Sequence, residues 1–366
     1  MKATKALAIK YRPKTFDDVV EQGSVKLILE EQLKSKTHQN CYLFTGGAGT
    51  GKTTCARIFA NEVNDGKGNP IEIDAASNNG VDNVREIIED AKFKALDAVY
   101  KVYIIDECHM LSTGAWNAML KLIEEPPAQT IFIFCTTDPQ KIPATIISRV
   151  QRYDFQRITH NSIVARLQQI LDWENEDVIV ANGGSQDAVA DIEWAIKEGI
   201  EVIEYDEEAL GYISKIADGG MRDAITLLDK CISYSNQITV ENVVAALGTI
   251  NYDVMFDLTD AILGMKPEDV VVIIEEAHRS GIDLKQFMKQ YGYFVLDAYK
   301  YFLLGNFEYL QIPSNYEGRL TGWDEDSYYY LTDLMEEMNQ LNSDIKWEPN
   351  PKPLIESTLI LLCQEG

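Results

Sequence analysis

The sequence is poor in the residues that build metal and disulfide frameworks. Its six cysteines (Cys41, Cys55, Cys108, Cys135, Cys231 and Cys363) are scattered, with no C-x-x-C pair among them. Neither a zinc module nor a disulfide lattice has the grouping it needs, so reduced, mostly buried thiols are expected. Histidine is scarcer still, at four residues, none spaced to share a metal. No apolar run approaches the length of a membrane span. The start, MKATKALAIKYRP, lacks the apolar core and small-residue cleavage site of a signal peptide. The expected setting is the cytoplasm, with no membrane partner.

Positive charge is also in short supply: 33 Lys and Arg face 58 Asp and Glu, a net charge of −25. Such a chain does not coat nucleic acid by charge alone. The distribution is uneven. Residues 172–208 hold thirteen acids and one base (Lys197), whereas residues 1–60 hold ten bases and five acids. A phosphate-binding surface is therefore expected in the N-terminal part, and the acidic stretch reads as a solvated face.

What is present, at 366 residues and 46% hydrophobic, suffices for two or three domains with proper cores. Between residues 40 and 160 short apolar runs alternate with helical patterns. Tyr42–Thr45, Ile71–Ile73, Val102–Ile105 and Ile131–Cys135 read as strands covered on both faces. Helices are expected near 52–63, 81–93 and 114–125, the last with Trp116, Met119, Leu120 and Ile123 on one face. This alternation implies α/β architecture, a parallel sheet wrapped by helices. Beyond residue 160 helices are expected at 161–173, 207–217, 222–233 and 240–247, with Gly248 as a stop. Residues 175–205 give no clean pattern. From 251 to 366 the chain reads as helical, and Tyr291, Tyr293, Phe294, Tyr299, Tyr301 and Phe302 have the spacing of a helix–helix core.

The strongest chemical signal is GGAGTGKTT, residues 46–54, placed between a strand and a helix as G-x-x-x-x-G-K-[ST] requires. Gly46, Gly47, Gly49 and Gly51, with Ala48 and Thr50 between them, let backbone N–H groups curl around a phosphate. Lys52 is expected to neutralise the β- and γ-phosphates and Thr53, beside Thr54, to offer a hydroxyl to Mg²⁺. Asp106 and Glu107 end the third apolar strand, where one acid can hold Mg²⁺ and the other can activate water. The same letters, DECH, also head one class of helicase. CTTDP closes the next strand, and Thr137 there can sense the γ-phosphate or serve as a plain strand-to-turn residue. Arg149 and Arg222 are candidates for transition-state stabilisation or for ordinary surface pairs.

Seven stretches together resemble the gamma/tau family of bacterial DNA polymerase III clamp-loader subunits, in register over roughly residues 8–250. They are YRPKTFDDVV (11–20), YLFTGGAGTGKTTCARIFA (42–60), IEIDAASNNGVDNVREI (71–87), VYIIDECHMLS (102–112), NAMLKLIEEPP (117–127), TTDPQKIPATIISR (136–149) and GGMRDAITLLDK (219–230). A looser likeness continues to IKWEPNPKPLIESTLILLC. The resemblance implies an AAA+ P-loop ATPase domain at 1–160, a helical lid at 161–248 and a C-terminal helical collar at 249–366. It implies ATP and Mg²⁺ as ligands, and as partners the sliding clamp, self-copies and delta- or delta-prime-like subunits, and primer–template DNA. By position, Thr137 matches the sensor-1 residue and Arg222 the sensor-2 arginine. Arg149 matches the arginine that reaches a neighbouring subunit's ATP site, within Ser-Arg-Val where the family has Ser-Arg-Cys. Tyr11, Arg12 and Pro13 match the segment lining the base and ribose.

The chain departs from that family in three places. The family's four zinc-ligand cysteines are replaced by NEVNDGKGNP, so no zinc is expected. The chain ends at 366, so no tau-type extension is expected. Residues 175–205 exceed the usual connection. Three other readings compete: a DECH-box helicase, which needs a second αβ lobe; a branch-migration motor or helicase loader; and an interaction subunit with a dead ATP site. Cys108 and His109 are expected to be incidental to the DECH box, His109 lying near the nucleotide or packed in the fold.

Overall fold

A computed structural model describes residues 5–184, 188–247, 252–307 and 309–363. The chain divides into two compact units, Met1–Gln237 and Ile238–Gly366. In the first, five parallel strands form one sheet: β1 (Cys41–Gly46), β2 (Ile71–Asp74), β3 (Lys101–Asp106), β4 (Thr130–Thr136) and β5 (Gln151–Phe155). Their spatial order is β2-β3-β4-β1-β5. Strand β5 is absent from the expected set, because in Gln-Arg-Tyr-Asp-Phe only Tyr153 and Phe155 are buried and no apolar run marks it.

The alternation of side chains along each strand builds two cores. Leu43, Tyr103, Ile105, Phe132 and Phe134 face helices Val81–Ala91 and Thr113–Glu124. Tyr42, Phe44, Val102, Ile104, Ile131 and Ile133 face the opposite way, against helices Gly23–Ser35 and Lys52–Glu62. Because both faces are covered, the central strands carry no polar alternation. Helix Thr113–Glu124 starts where the Ser112 side chain accepts from Ala115 N at 3.2 Å, a cap worth about 1 kcal/mol. It buries Trp116, Met119 and Ile123 as its spacing predicts, with Leu120 partly buried against them.

Among its described residues, the region without a clean sequence pattern is mostly helical and ends in a short strand, Glu204–Tyr205. Helix His160–Ala181 runs 22 residues, well past the expected stop near 173, and helix Ala188–Lys197 follows. Asn175 explains why a polar residue sits inside a long helix at 1% exposure. Its amide donates to Ile203 O at 2.9 Å and accepts from Ile203 N at 2.7 Å. That side chain stitches the returning segment to the helix, while Ile179, Ala195 and Val202 form a small core beside it.

All described elements from Val240 onward are helical, so the second unit has no αβ lobe among its described residues. Leu284–Leu304 packs along Glu325–Asp344, and Pro267–Arg279 along Lys352–Leu362. Tyr291, Phe294 and Tyr301 are buried there as expected. Tyr293 and Phe302 correct that expectation: the first is 53% exposed, and the second lies at the surface stacked on Tyr328. Leu284–Leu304 carries aromatic residues on more than one face, so spacing alone does not sort them. Gly248 lies outside the described residues. The six cysteines are unpaired and buried.

Candidate active site

Parallel α/β sheets bind ligands beyond the carboxyl ends of their strands, where the strand order reverses. Here β1 lies between β4 and β5 with Thr45 opposite Thr136, and β3 lies beside β4 with Ile105 opposite Phe134. The register therefore brings the ends of β1, β3 and β4 to one edge. From that edge open the glycine loop, the acidic pair and the threonine pair.

The loop is built by backbone conformations that favour glycine: φ is 145° at Gly46, 68° at Gly49 and 102° at Gly51. Gly46 has a second constraint, since a Cβ there would collide with Phe155 O of β5. Gly49 lies against Gly220, a Cβ at Gly49 falling 2.9 Å from Gly220 Cα, and its carbonyl accepts from Met221 N at 3.1 Å. Two glycines thus let the loop touch the start of helix Met221–Tyr234, which carries Arg222.

One cleft is lined by Tyr11, Arg12, Pro13, Ala48 to Thr54, Asp106, Glu107, Thr137 and Arg222. These are the expected site residues with three exceptions. Gly46 and Gly47 lie beneath the cleft, and their carbonyls accept from Lys52 Nζ at 2.9 and 2.6 Å. Arg149 is placed elsewhere: its Nε donates to Glu124 Oε1 at 2.7 Å and its guanidinium also donates to Thr145 O at 2.8 Å.

Lys52 is 6% exposed, and burial lowers its ammonium's pKa while Cys135, Glu107 and Asp106 oppose that shift. Thr53 Oγ1 donates to Asp106 Oδ2 at 2.8 Å, so a hydroxyl and a carboxylate converge as hard oxygen donors suited to Mg²⁺. Thr137 Oγ1 donates to Glu107 Oε2 at 3.0 Å. Among the described residues no group of His, Cys, Asp and Glu has the makings of an all-protein metal cage.

The N-terminal segment also packs on helices His160–Ala181 and Met221–Tyr234. Leu7 N donates to Asp229 Oδ2 at 3.1 Å. Tyr11 stacks on Trp173 with centroids 5.3 Å apart, and burial pushes its phenol up to about 12. Two residues here escaped the sequence reading. Arg166 lines the cleft, lies over the Trp173 ring at 4.9 Å and donates to Tyr11 O at 3.4 Å. Gln22, 7% exposed, donates to Gln156 O at 2.8 Å and accepts from Gln156 N at 3.1 Å, bracing the end of β5 beside the loop. The seven-residue spacing of Arg166 and Trp173 was a usable signal for a shared helix face. Nothing local distinguishes Gln22.

Family models match two parts of the chain: "DNA polymerase III, delta subunit" at residues 69–159, and "DNA polymerase III clamp loader subunit, ATPase lid domain" at residues 199–237. The second ends where the first compact unit ends. The tau subunit of DNA polymerase III from Bacillus subtilis is 34% identical over 98% of this chain and 63% of its own length. The gamma subunit from Buchnera aphidicola is 31% identical over 77% of each chain. This chain therefore spans less than two thirds of the Bacillus tau relative. Among solved structures, the Thermotoga maritima RuvB Holliday junction branch migration motor is 18% identical, with 75% of this chain and 86% of that one covered at a TM-score of 0.47. A likeness of that size carries no argument.

Proposed function

The chain belongs to the gamma/tau family of DNA polymerase III clamp-loader subunits, and from that premise we propose that it is an ATP-driven motor subunit that opens a sliding clamp and loads it onto primer–template DNA. The observation that carries the reading is the cleft, where Lys52, Thr53, Asp106, Glu107, Thr137 and Arg222 meet at the strand ends. The intact set favours an active ATPase over a subunit with a dead site. Among the described residues the elements from Val240 onward are all helical, which gives no support to a two-lobed helicase.

In this reading the loop N–H groups and Lys52 hold the terminal phosphates of ATP. Lys52 exchanges its contacts with Gly46 O and Gly47 O for phosphate oxygens. Thr53 and Asp106 hold Mg²⁺, which supplies charge neutralisation on the phosphates. Glu107 accepts a proton from the attacking water, Thr137 reports on the γ-phosphate, and Arg222 stabilises it from the lid side. Tyr11, Arg12 and Pro13 line the base and ribose. Arg149 serves the ATP site of a neighbouring subunit, an arginine finger in trans. Residues 1–160, 161–248 and 249–366 act as ATPase core, lid and collar, the collar joining self-copies and delta- or delta-prime-like subunits.

ATP hydrolysis measured with clamp and primed DNA, added separately and together, tests the proposal. Strong stimulation by the combination alone is expected. Stimulation by any long single strand without clamp contradicts it.

A further inference from the structure

The start of the chain is fastened to helices that lie far ahead of it in sequence. Leu7 N donates to Asp229 Oδ2 on helix Met221–Tyr234 at 3.1 Å. Lys10 Nζ donates to Glu174 Oε1 at 3.0 Å and to Asp177 Oδ2 at 2.8 Å, both on helix His160–Ala181. Tyr11 stacks on Trp173 of the same helix, with centroids 5.3 Å apart and planes tilted by 21°. A few residues later the chain belongs to the sheet instead: Phe16 and Val19 are buried in one core with Tyr42 and Phe44. Arg12 and Pro13 lie between the two anchorages and line the cleft. The proline ring holds its own φ and keeps Arg12 extended, so this short span passes the position of Tyr11 to its neighbours.

Trp173 is the centre of the first anchorage. Seven residues before it on the same helix, Arg166 sets its guanidinium over the indole, 4.9 Å from the ring centre. That guanidinium donates to Gln169 Oε1 at 2.6 Å and to Tyr11 O at 3.4 Å. The indole thus meets the ring of Tyr11 directly and its carbonyl through Arg166. Arg166 lines the cleft, whereas Trp173 does not. Trp173 lines a separate hollow with Lys10, Glu176 and Asp177, and Tyr11 lines both. Any influence of Trp173 on a bound nucleotide therefore passes through Tyr11 and Arg166. The phosphate loop has its own supports: Gly49 O accepts from Met221 N, and Lys52 Nζ donates to Gly46 O and Gly47 O.

We propose that Trp173 is a positioning residue that sets the preference of the site for a nucleoside triphosphate over a bare triphosphate. Its stack on Tyr11, with the Arg166 bond to Tyr11 O, fixes where Tyr11, Arg12 and Pro13 stand against the base and ribose. The phosphates are gripped by the loop and Lys52 and do not depend on it. The inference rests on the ATP reading above and deepens it. It names a residue outside the cleft that tells ATP from its own phosphate tail.

Titration calorimetry of the full chain with Mg²⁺-ATP and with Mg²⁺-tripolyphosphate tests it, because the second ligand carries three phosphates and no base or ribose. In Trp173→Leu, ATP affinity is expected to fall roughly 3- to 10-fold, the scale of an aromatic pair, with tripolyphosphate affinity unchanged. Trp173→Phe keeps a ring against Tyr11 and should bind ATP within about twofold of wild type. Lys10→Met removes the exposed ion pairs and leaves the stack, so the ratio of ATP to tripolyphosphate affinity should fall by about twofold. Unchanged ATP affinity in Trp173→Leu, an equal loss for both ligands in a variant that melts as the wild type does, or a Phe variant as weak as Leu overturns the inference and leaves the ATP reading standing. If Trp173→Leu fails to fold, Lys10→Met decides, and an unchanged ratio overturns the inference. A wild-type chain that binds neither ligand, or a Lys52→Ala chain that binds both as the wild type does, overturns that reading and the inference with it.

Discussion

Two arginines of the first unit have opposite surroundings. Arg222 opens a lid helix whose start touches Gly49, and it lines the cleft with the phosphate loop and the acidic pair. Arg149 sits on a corner after β4, 39% exposed in its side chain, tied to Glu124 and to Ser148 Oγ at 3.1 Å. An exposed pair of that kind is worth only about 0–1 kcal/mol, so Arg149 is released at little cost. On the proposed reading, the contrast separates an arginine that serves the chain's own cleft from one that serves a neighbour's. On that reading the cleft gathers the groups that would grip a triphosphate, while Arg149, a permanently charged donor, is bound to Glu124 and Thr145 O outside that lining.

The largest effect that breaks the contrast is expected from Arg149→Ala in the assembled complex, where turnover should fall on the order of 10³-fold. Nucleotide affinity of the isolated variant should stay at the wild-type value, read by equilibrium titration. Lys52→Ala is expected to act in both settings, lowering turnover on the order of 10²-fold or more. Retained hydrolysis in that variant would remove Lys52 from the site. Next comes Gly46→Ala, which forces a Cβ into a left-handed position against Phe155 O. It should cost roughly 2–4 kcal/mol of stability in urea titration, the combined scale of strain and overpacking. The smallest effect is Glu124→Ala, which removes the partner of Arg149 and should change stability by less than about 1 kcal/mol. A larger loss would mean that Arg149 is a structural residue in its own corner.

How much of this was legible depended on how local the signal is. The phosphate loop is a contiguous string whose glycines answer to backbone demands, and Asp106 and Glu107 end an unbroken apolar run; both could be read from neighbours in the chain. Strand β5 could not, because its edge position buries only Tyr153 and Phe155. Helix His160–Ala181 ran past its expected end because Asn175, a polar residue by type, is paid back by a backbone 28 residues away. Gln22 braces Gln156 across 134 residues, and no local pattern encodes such a contact. The DECH letters were conspicuous, but the left-handed turn at Glu107 and the bond between His109 Nδ1 and Thr136 Oγ1 at 3.1 Å are facts that the letters do not carry.

The central claim is that the cleft is complete for binding and lacks one arginine for turnover. Mixing two inactive variants tests it most directly. Lys52→Ala has a damaged cleft and an intact Arg149; Arg149→Ala has an intact cleft and no arginine to lend. Assembled together, they should recover hydrolysis that neither shows when assembled alone, because an intact cleft then meets an intact Arg149 from another copy. No recovery in the mixture, in a preparation whose wild-type counterpart hydrolyses ATP, would contradict the account.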